Sequence, residues 1–186
     1  MIDLLSQYVK KTAACFTPQV AEAVAELFCD LERARTEKRS VFICGNGGSA
    51  ANALHWANDL IYGAGKSGKG GLRAHALPSN ISVLTCLAND VGFEHVFSHQ
   101  LETLASSGDI LIALSGSGNS PNIVRALTTA RTIGMRTWSV LGFDGGRAIE
   151  QSDRSIHFEI HDMQVAEDCQ MVVCHVLTKK LAGDEE

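Results

Sequence analysis

The sequence predicts a doubly wound α/β fold: a three-layer sandwich in which a parallel sheet lies between two layers of helices. From residue 40 onward, short apolar runs recur between Gly/Ser turns as SVFIC, AHAL, DILIAL, RTWSVLG and SIHFEI. A stretch with helical spacing follows each run, and that alternation builds parallel strands joined by crossover helices. Two of the strand ends carry glycine–serine turns, and folds of this class bind ligands beyond the carboxyl ends of their strands.

Residues 2 to 36 carry apolar positions at helical spacing, broken at Phe16-Thr17-Pro18. Thr17 is suited to cap a helix and Pro18 to occupy its first turn, so two N-terminal helices are expected. The second presents Val20, Val24, Leu27, Phe28 and Leu31 as one stripe, the pattern of a helix packed on one side. Tyr62 to Gly71, YGAGKSGKGG, has no core-forming residue and reads as a mobile surface loop. A last helix is expected from about Met163 to Leu181, before Gly183 and an acidic tail. No linker divides the chain, so residues 1–186 read as one domain with residues 1–36 as an N-terminal helical segment.

With 45% hydrophobic and 20% charged residues, the composition excludes a disordered or supercharged chain. Sixteen Lys+Arg against 21 Asp+Glu leave a net charge of -5, which gives no general attraction to nucleic acid or an anionic membrane. Any anion must therefore be held by local geometry. No window approaches the roughly 20 apolar residues of a membrane span. The start, MIDLLSQYVKK, lacks the order of a secretion signal, so a cytoplasmic protein is expected. The cysteines, Cys15, Cys29, Cys44, Cys86, Cys169 and Cys174, form no C-x-x-C pair and lie in apolar runs, where reduced thiols act as small hydrophobes.

The first turn is Gly45-Asn46-Gly47-Gly48-Ser49, after Val41–Cys44 and before a helix starting near Ala50. A strand, a glycine turn and a helix N-terminus aim unpaired N–H groups and a positive dipole end at one point, which favours an anion. The Ser49 hydroxyl is expected to add a donor. The second turn, Ser115-Gly116-Ser117-Gly118-Asn119-Ser120, follows Ile110–Leu114 and precedes Pro121. Its serine hydroxyls suit the three oxygens of a phosphate. Gly45–Ala50 also matches the dinucleotide fingerprint G-x-G-x-x-A, but the next strand ends in Ser79-Asn80 and lacks the acid that binds a ribose. Neither turn contains the Gly-Lys-Ser/Thr of a P-loop.

CGNGGS followed by ALHWAND, then LANDVGF, then LSGSGNS with LGFDGG beyond it, resembles the sugar isomerase (SIS) fold, and specifically its phosphoheptose isomerase branch, from about residue 3 to 181. The resemblance implies conversion of sedoheptulose 7-phosphate to D-glycero-D-manno-heptose 7-phosphate by a homotetramer whose active sites lie at subunit junctions. It implies a phosphate held by Ser115, Ser117 and Ser120 around Gly116, with Ser49 and the Asn46-Gly47-Gly48 backbone nearby. It also implies sugar contacts from Asn89 and Asp90, and zinc-binding and proton-transfer positions at His55, Asp59, Glu167 and His175. Three positions depart from the branch's pattern: Asp59 stands where Glu is usual, Glu167 where Gln is usual, and Gly63 where an arginine is common. Through GGSAANA the chain also resembles a tetrameric replication regulator that binds the bacterial initiator protein, a scaffold with no need of His175. A phosphosugar-sensing regulator would need a DNA-binding module, and none is evident.

His55 and Asp59 are i,i+4 and share one helix face, so they suit a zinc ion, or Asp59 alone suits removal of a proton beside a carbonyl. Glu167 and His175 are eight residues apart, about 12 Å and about 80° around an ideal helix. They converge only on a target midway between them; otherwise one leaves the metal shell or serves a neighbouring subunit, and a structural His175 is the further alternative. Asp59 and His175 are the expected base and acid of an aldose–ketose isomerisation. Asp is shorter than Glu by about 1.5 Å, and a misplacement of that size costs on the order of 100-fold in rate, so a slower reaction or a different sugar is expected. His75, His95, His99, His157 and His161 have no spacing argument and read as structural.

Overall fold

A computed structural model describes residues 1–66 and 68–184. Five strands, β1 (Ser40–Cys44), β2 (Arg73–Ala76), β3 (Ile110–Ser115), β4 (Arg136–Leu141) and β5 (Arg154–His157), form one sheet in the order β2-β1-β3-β4-β5. Every pairing is parallel, with Val41 opposite Ile110, Ile43 opposite Ala76 and Leu141 opposite His157. The chain winds outward in both directions from the β1–β3 pair, so the crevice at the top of that pair is the topological switch point.

Burial on both faces explains why β1 and β3 read as nearly continuous apolar runs, while in β4 the buried Thr137 and Ser139 bond to Asp153 and Ser152. Val41 and Ile43 join one core layer with Leu27 and Leu31 of α2 (Pro18–Glu37), Trp56 and Leu60 of α3 (Gly48–Ile61), and Val173 and Leu177 of α8 (Met163–Ala182). Phe42 and Cys44 point the other way. They pack with Leu87 of α4 (Ile81–Asp90), Leu101 of α5 (Ser98–Leu104), Leu127 of α6 (Pro121–Ile133) and Ala148 of α7 (Ala148–Gln151).

The two N-terminal helices differ in their attachment. Thr17 caps α2 by accepting from the Val20 N–H at 3.3 Å, with Pro18 in the first turn as expected. Helix α1 (Ile2–Ala14) buries no residue. It is tied to α8 by Tyr8 Oη donating to Asp168 at 2.7 Å and by the Lys11–Asp162 ion pair at 2.6 Å. Burial and the Asp168 carboxylate push the Tyr8 phenol up to about 12. The hydrogen bond from Lys11 holds the Asp162 carboxyl below its ordinary value.

Two expectations are corrected. Residues 62–71 are not simply a surface loop: Gly63–Gly65 form a 3-10 turn in which Gly63 and Ala64 are buried. The Arg35 guanidinium donates to the carbonyls of Ala64 and Leu181, each at 3.2 Å, and so pulls the turn onto the core. Lys66 and Gly68–Gly71 are exposed, and Ser67 lies outside the described residues. Nor are all six thiols packed inside, because Cys29 and Cys86 are exposed. No described helix is long and apolar enough to cross a membrane.

Candidate active site

Both glycine–serine turns lie above the β1–β3 pair. In the first, a Cβ on Gly45 would meet the Ser49 carbonyl at 2.5 Å, and Gly47 takes a positive φ of 56° to start α3. Glycine lets the backbone turn tightly here, and the Gly48 and Ser49 N–H groups precede the first helical bonds of α3, those of Ala50 to Asn46 and Ala51 to Gly47. The side chains face away from that opening. Asn46 exchanges two hydrogen bonds with Asn122 of α6, at 2.9 and 2.8 Å. Ser49 is buried, and its hydroxyl accepts from Gln170 Nε2 at 3.3 Å. The expected extra donor thus lies in the α3–α8 contact, where accepting from Gln170 leaves the hydroxyl its proton, and Gly47 and Gly48 are exposed.

The second turn is shaped by its own backbone and by the loop after β4. Gly118 N–H donates to Ser115 Oγ at 3.0 Å and Asn119 N–H to Ser117 Oγ at 3.3 Å, so both hydroxyls keep a proton to donate. Ser120 is the N-cap residue of α6 and makes no side-chain capping bond. The Gly142 N–H donates to the Gly116 carbonyl at 3.0 Å and the Ala148 N–H to the Gly118 carbonyl at 2.9 Å. A side chain at Gly118, whose φ is +64°, would overlap the Gly145 carbonyl.

Helices α3 and α8 pack in the same direction. Gly48 lies against Glu167, Asn52 donates to the Glu167 carbonyl and the Gln170 side chain, and Trp56 donates to the Gln170 carbonyl. Farther along, His55 and Asp59 meet His175. The two Nε2 atoms are 3.2 Å apart, and Asp59 Oδ2 lies 3.5 Å from His55 and 4.0 Å from His175. Asn58 donates to the other Asp59 oxygen at 3.0 Å. At this separation one imidazole nitrogen must carry a proton, or both must face a cation.

The donor set fits a divalent metal. Bonds of about 2.0–2.1 Å to a tetrahedral ion put its ligand atoms about 3.3 Å apart, close to the observed spacing. Among the described residues, His55, Asp59 and His175 are the group able to hold a metal ion. Burial, reinforced by the charge of Asp59, pushes the neighbouring Cys174 thiol far up.

Glu167 does not join that cluster. The rise of α8 carries it away from His175, and the parallel packing brings its carboxylate onto Gly48, where the positive end of the α3 dipole favours it. The structure thus separates the four predicted metal positions into three and one. Asn89 and Asp90 close α4 and bond to each other at 2.7 Å. No hydrogen bond joins them to either turn or to the cluster among the described residues. At Gly63, a Cβ would meet the Thr178 methyl at 2.7 Å, so this packing leaves no space for the arginine of the branch.

Sequence reading passed over Asn122, Gln170, Asn52 and Asn58. Only Asn58 had a local signal, as the neighbour of Asp59; the amide contacts of the others span 76 to 121 residues.

Residues 6–142 match the family model described as SIS domain. The chain is 38% identical over 172 residues to the phosphoheptose isomerase of Geotalea daltonii, covering 90% of this chain and 87% of the relative. It is 38% identical over 186 residues to that of Geotalea uraniireducens, covering 98% and 96%. The solved structure of phosphoheptose isomerase from Neisseria gonorrhoeae superposes with a TM-score of 0.89 at 25% identity, over 98% of this chain and 96% of that one.

Proposed function

Because the chain belongs to the phosphoheptose isomerase family of SIS-domain proteins, we propose that it interconverts sedoheptulose 7-phosphate and D-glycero-D-manno-heptose 7-phosphate. One observation carries the reading to particular residues: His175 of α8 meets His55 and Asp59 on the helix that springs from the first turn, and the neighbouring strand ends in a second turn that offers serine hydroxyls. The phosphate binds at Ser115, Ser117 and Ser120, and this remote grip fixes the sugar so that its reacting carbons meet acid and base. The backbone of Asn46, Gly47 and Gly48 lies alongside the sugar chain.

Asp59 takes a proton from the carbon bearing the hydroxyl and returns it to the neighbouring carbon, while His175 moves the proton between the two oxygens. Asn58 holds one oxygen of Asp59, which leaves the other facing the imidazoles. The same three donors would also suit zinc, one ion per subunit; held by His55, Asp59 and His175 it would supply polarisation of a substrate oxygen, as the alternative to the proton transfer by metal-free Asp59 and His175. Glu167, beside Gly48, contacts the sugar and not the metal.

The enzyme works as a homotetramer in the cytoplasm with no nucleic acid or membrane partner. Leu54, Ile61, Val172 and Val176 are exposed on the helices that carry the cluster, which supports burial of this face against another copy. The separation of Asn89 and Asp90 from the cluster supports a site completed across a subunit junction. No finding favours the replication-regulator reading. The purified protein is incubated with sedoheptulose 7-phosphate, with and without zinc, and followed by NMR; aldose 7-phosphate is expected, and no product in either condition overturns the proposal.

A further inference from the structure

We propose that Asn122 is a positioning residue, forming with Asn46 an amide clamp that sets the distance between the two turns and closes the floor of the ligand crevice. The inference rests on the isomerase reading above. Asn46 Nδ2 donates to Asn122 Oδ1 at 2.9 Å, and Asn122 Nδ2 donates to Asn46 Oδ1 at 2.8 Å. The assignment is self-consistent: turning both amides over regenerates the pair, whereas turning one opposes like atoms in both contacts. Asn122 is 1% exposed, so no ligand reaches its side chain.

The place of the pair gives it leverage. Asn46 links β1 to α3 and Asn122 lies in the first turn of α6, after β3. These strands are neighbours, and their helices pack on opposite faces of the sheet. The clamp therefore spans the switch point itself, where the crevice opens. Among the described residues, no other side-chain hydrogen bond joins the two turns. One turn begins the helix that carries His55 and Asp59, and the other grips the phosphate. The clamp thus fixes the phosphate relative to the base. It also fixes the plane of the Asn46 amide, using one of its two N–H groups.

The test compares the full-length protein with Asn122→Ala, Asn46→Ala and the double variant. Steady-state turnover of sedoheptulose 7-phosphate is measured beside binding of inorganic phosphate and thermal unfolding. Loss of registration lowers kcat by on the order of 100-fold in each single variant. The double variant falls no more than about threefold below the worse single, because one shared interaction has been removed. Phosphate affinity stays within about threefold of wild type, since the second turn keeps its own brace.

Asn122→Asp preserves shape and one hydrogen bond, and it guards against misfolding of the alanine variants. Its activity relative to wild type recovers as falling pH protonates the new carboxyl and restores a donor. At neutral pH, turnover of a folded Asn122→Ala or Asn122→Asp within about threefold of wild type overturns the clamp, as do an Asn122→Asp deficit that stays constant as pH falls and multiplicative losses in the double variant. Absence of turnover in wild type defeats the isomerase reading instead. The clamp is then decided by melting temperatures: non-additive losses support it, and additive losses overturn it.

Discussion

The turn after β1 and the turn after β3 sit side by side at the top of the sheet, yet they are held by different balances of side chain and backbone. Side chains fasten the first: Asn46 to Asn122, Ser49 to Gln170, and Glu167 over Gly48. Backbone groups take the larger part in the second: the N–H groups of Gly142 and Ala148 reach the carbonyls of Gly116 and Gly118, Ser115 and Ser117 accept from their own turn, and the Asn119 side chain adds a bond from the Arg147 N–H at 3.1 Å. A turn secured through its side chains becomes part of the frame, with its glycine backbone exposed at Gly47 and Gly48. A turn secured through its backbone keeps its hydroxyl protons, which suit a phosphate. The division assigns positioning to the first turn and anion recognition to the second.

The largest effect is expected where the frame delivers its chemistry. Asp59→Asn removes the base, and turnover is expected to fall by about 100- to 10,000-fold with phosphate binding unchanged. Steady-state kinetics beside phosphate titration check this, and turnover near wild type would reject Asp59 as base.

Gly118→Ala and Gly48→Ala sharpen the contrast between the turns. At Gly118 the new methyl overlaps the Gly145 main chain, and its left-handed backbone alone costs about 1–2 kcal/mol. A melting temperature lower by about 5 °C or more is expected. At Gly48 the methyl meets the end of the flexible Glu167 side chain, so melting changes by less than about 2 °C while the carboxylate is displaced. Equal losses on calorimetry would mean that the turns are held alike.

The smallest effect concerns α1. The Tyr8 phenol is raised from 10.0 to about 12, so the neutral, hydrogen-bonded form stabilises the α1–α8 contact. That contribution is complete below pH 10 and is lost as pH rises through about 12. Comparing melting of wild type and Tyr8→Phe between pH 9 and 12 checks it: the advantage of wild type shrinks toward alkaline pH.

Much of the scaffold was readable because its signals are local. Strands buried on both faces give nearly continuous apolar runs, and Thr17-Pro18 announces a helix start from adjacent residues. His55 and Asp59 were readable as a pair because i,i+4 spacing fixes them on one helix face. The position of Glu167 was not, because it depends on the direction in which α8 packs on α3. Ala64 was missed for a similar reason: Arg35, distant in sequence, draws that turn inward. Asn122 and Gln170 gave no local signal, since an amide's partner is chosen by tertiary register.

The most direct test is a crystal structure of Asp59→Asn with sedoheptulose 7-phosphate bound. The account predicts phosphorus at the Ser115–Ser120 turn and the first two sugar carbons between residue 59 and His175. A phosphate seated elsewhere, or a sugar chain directed away from the α3–α8 seam in every subunit, would contradict it.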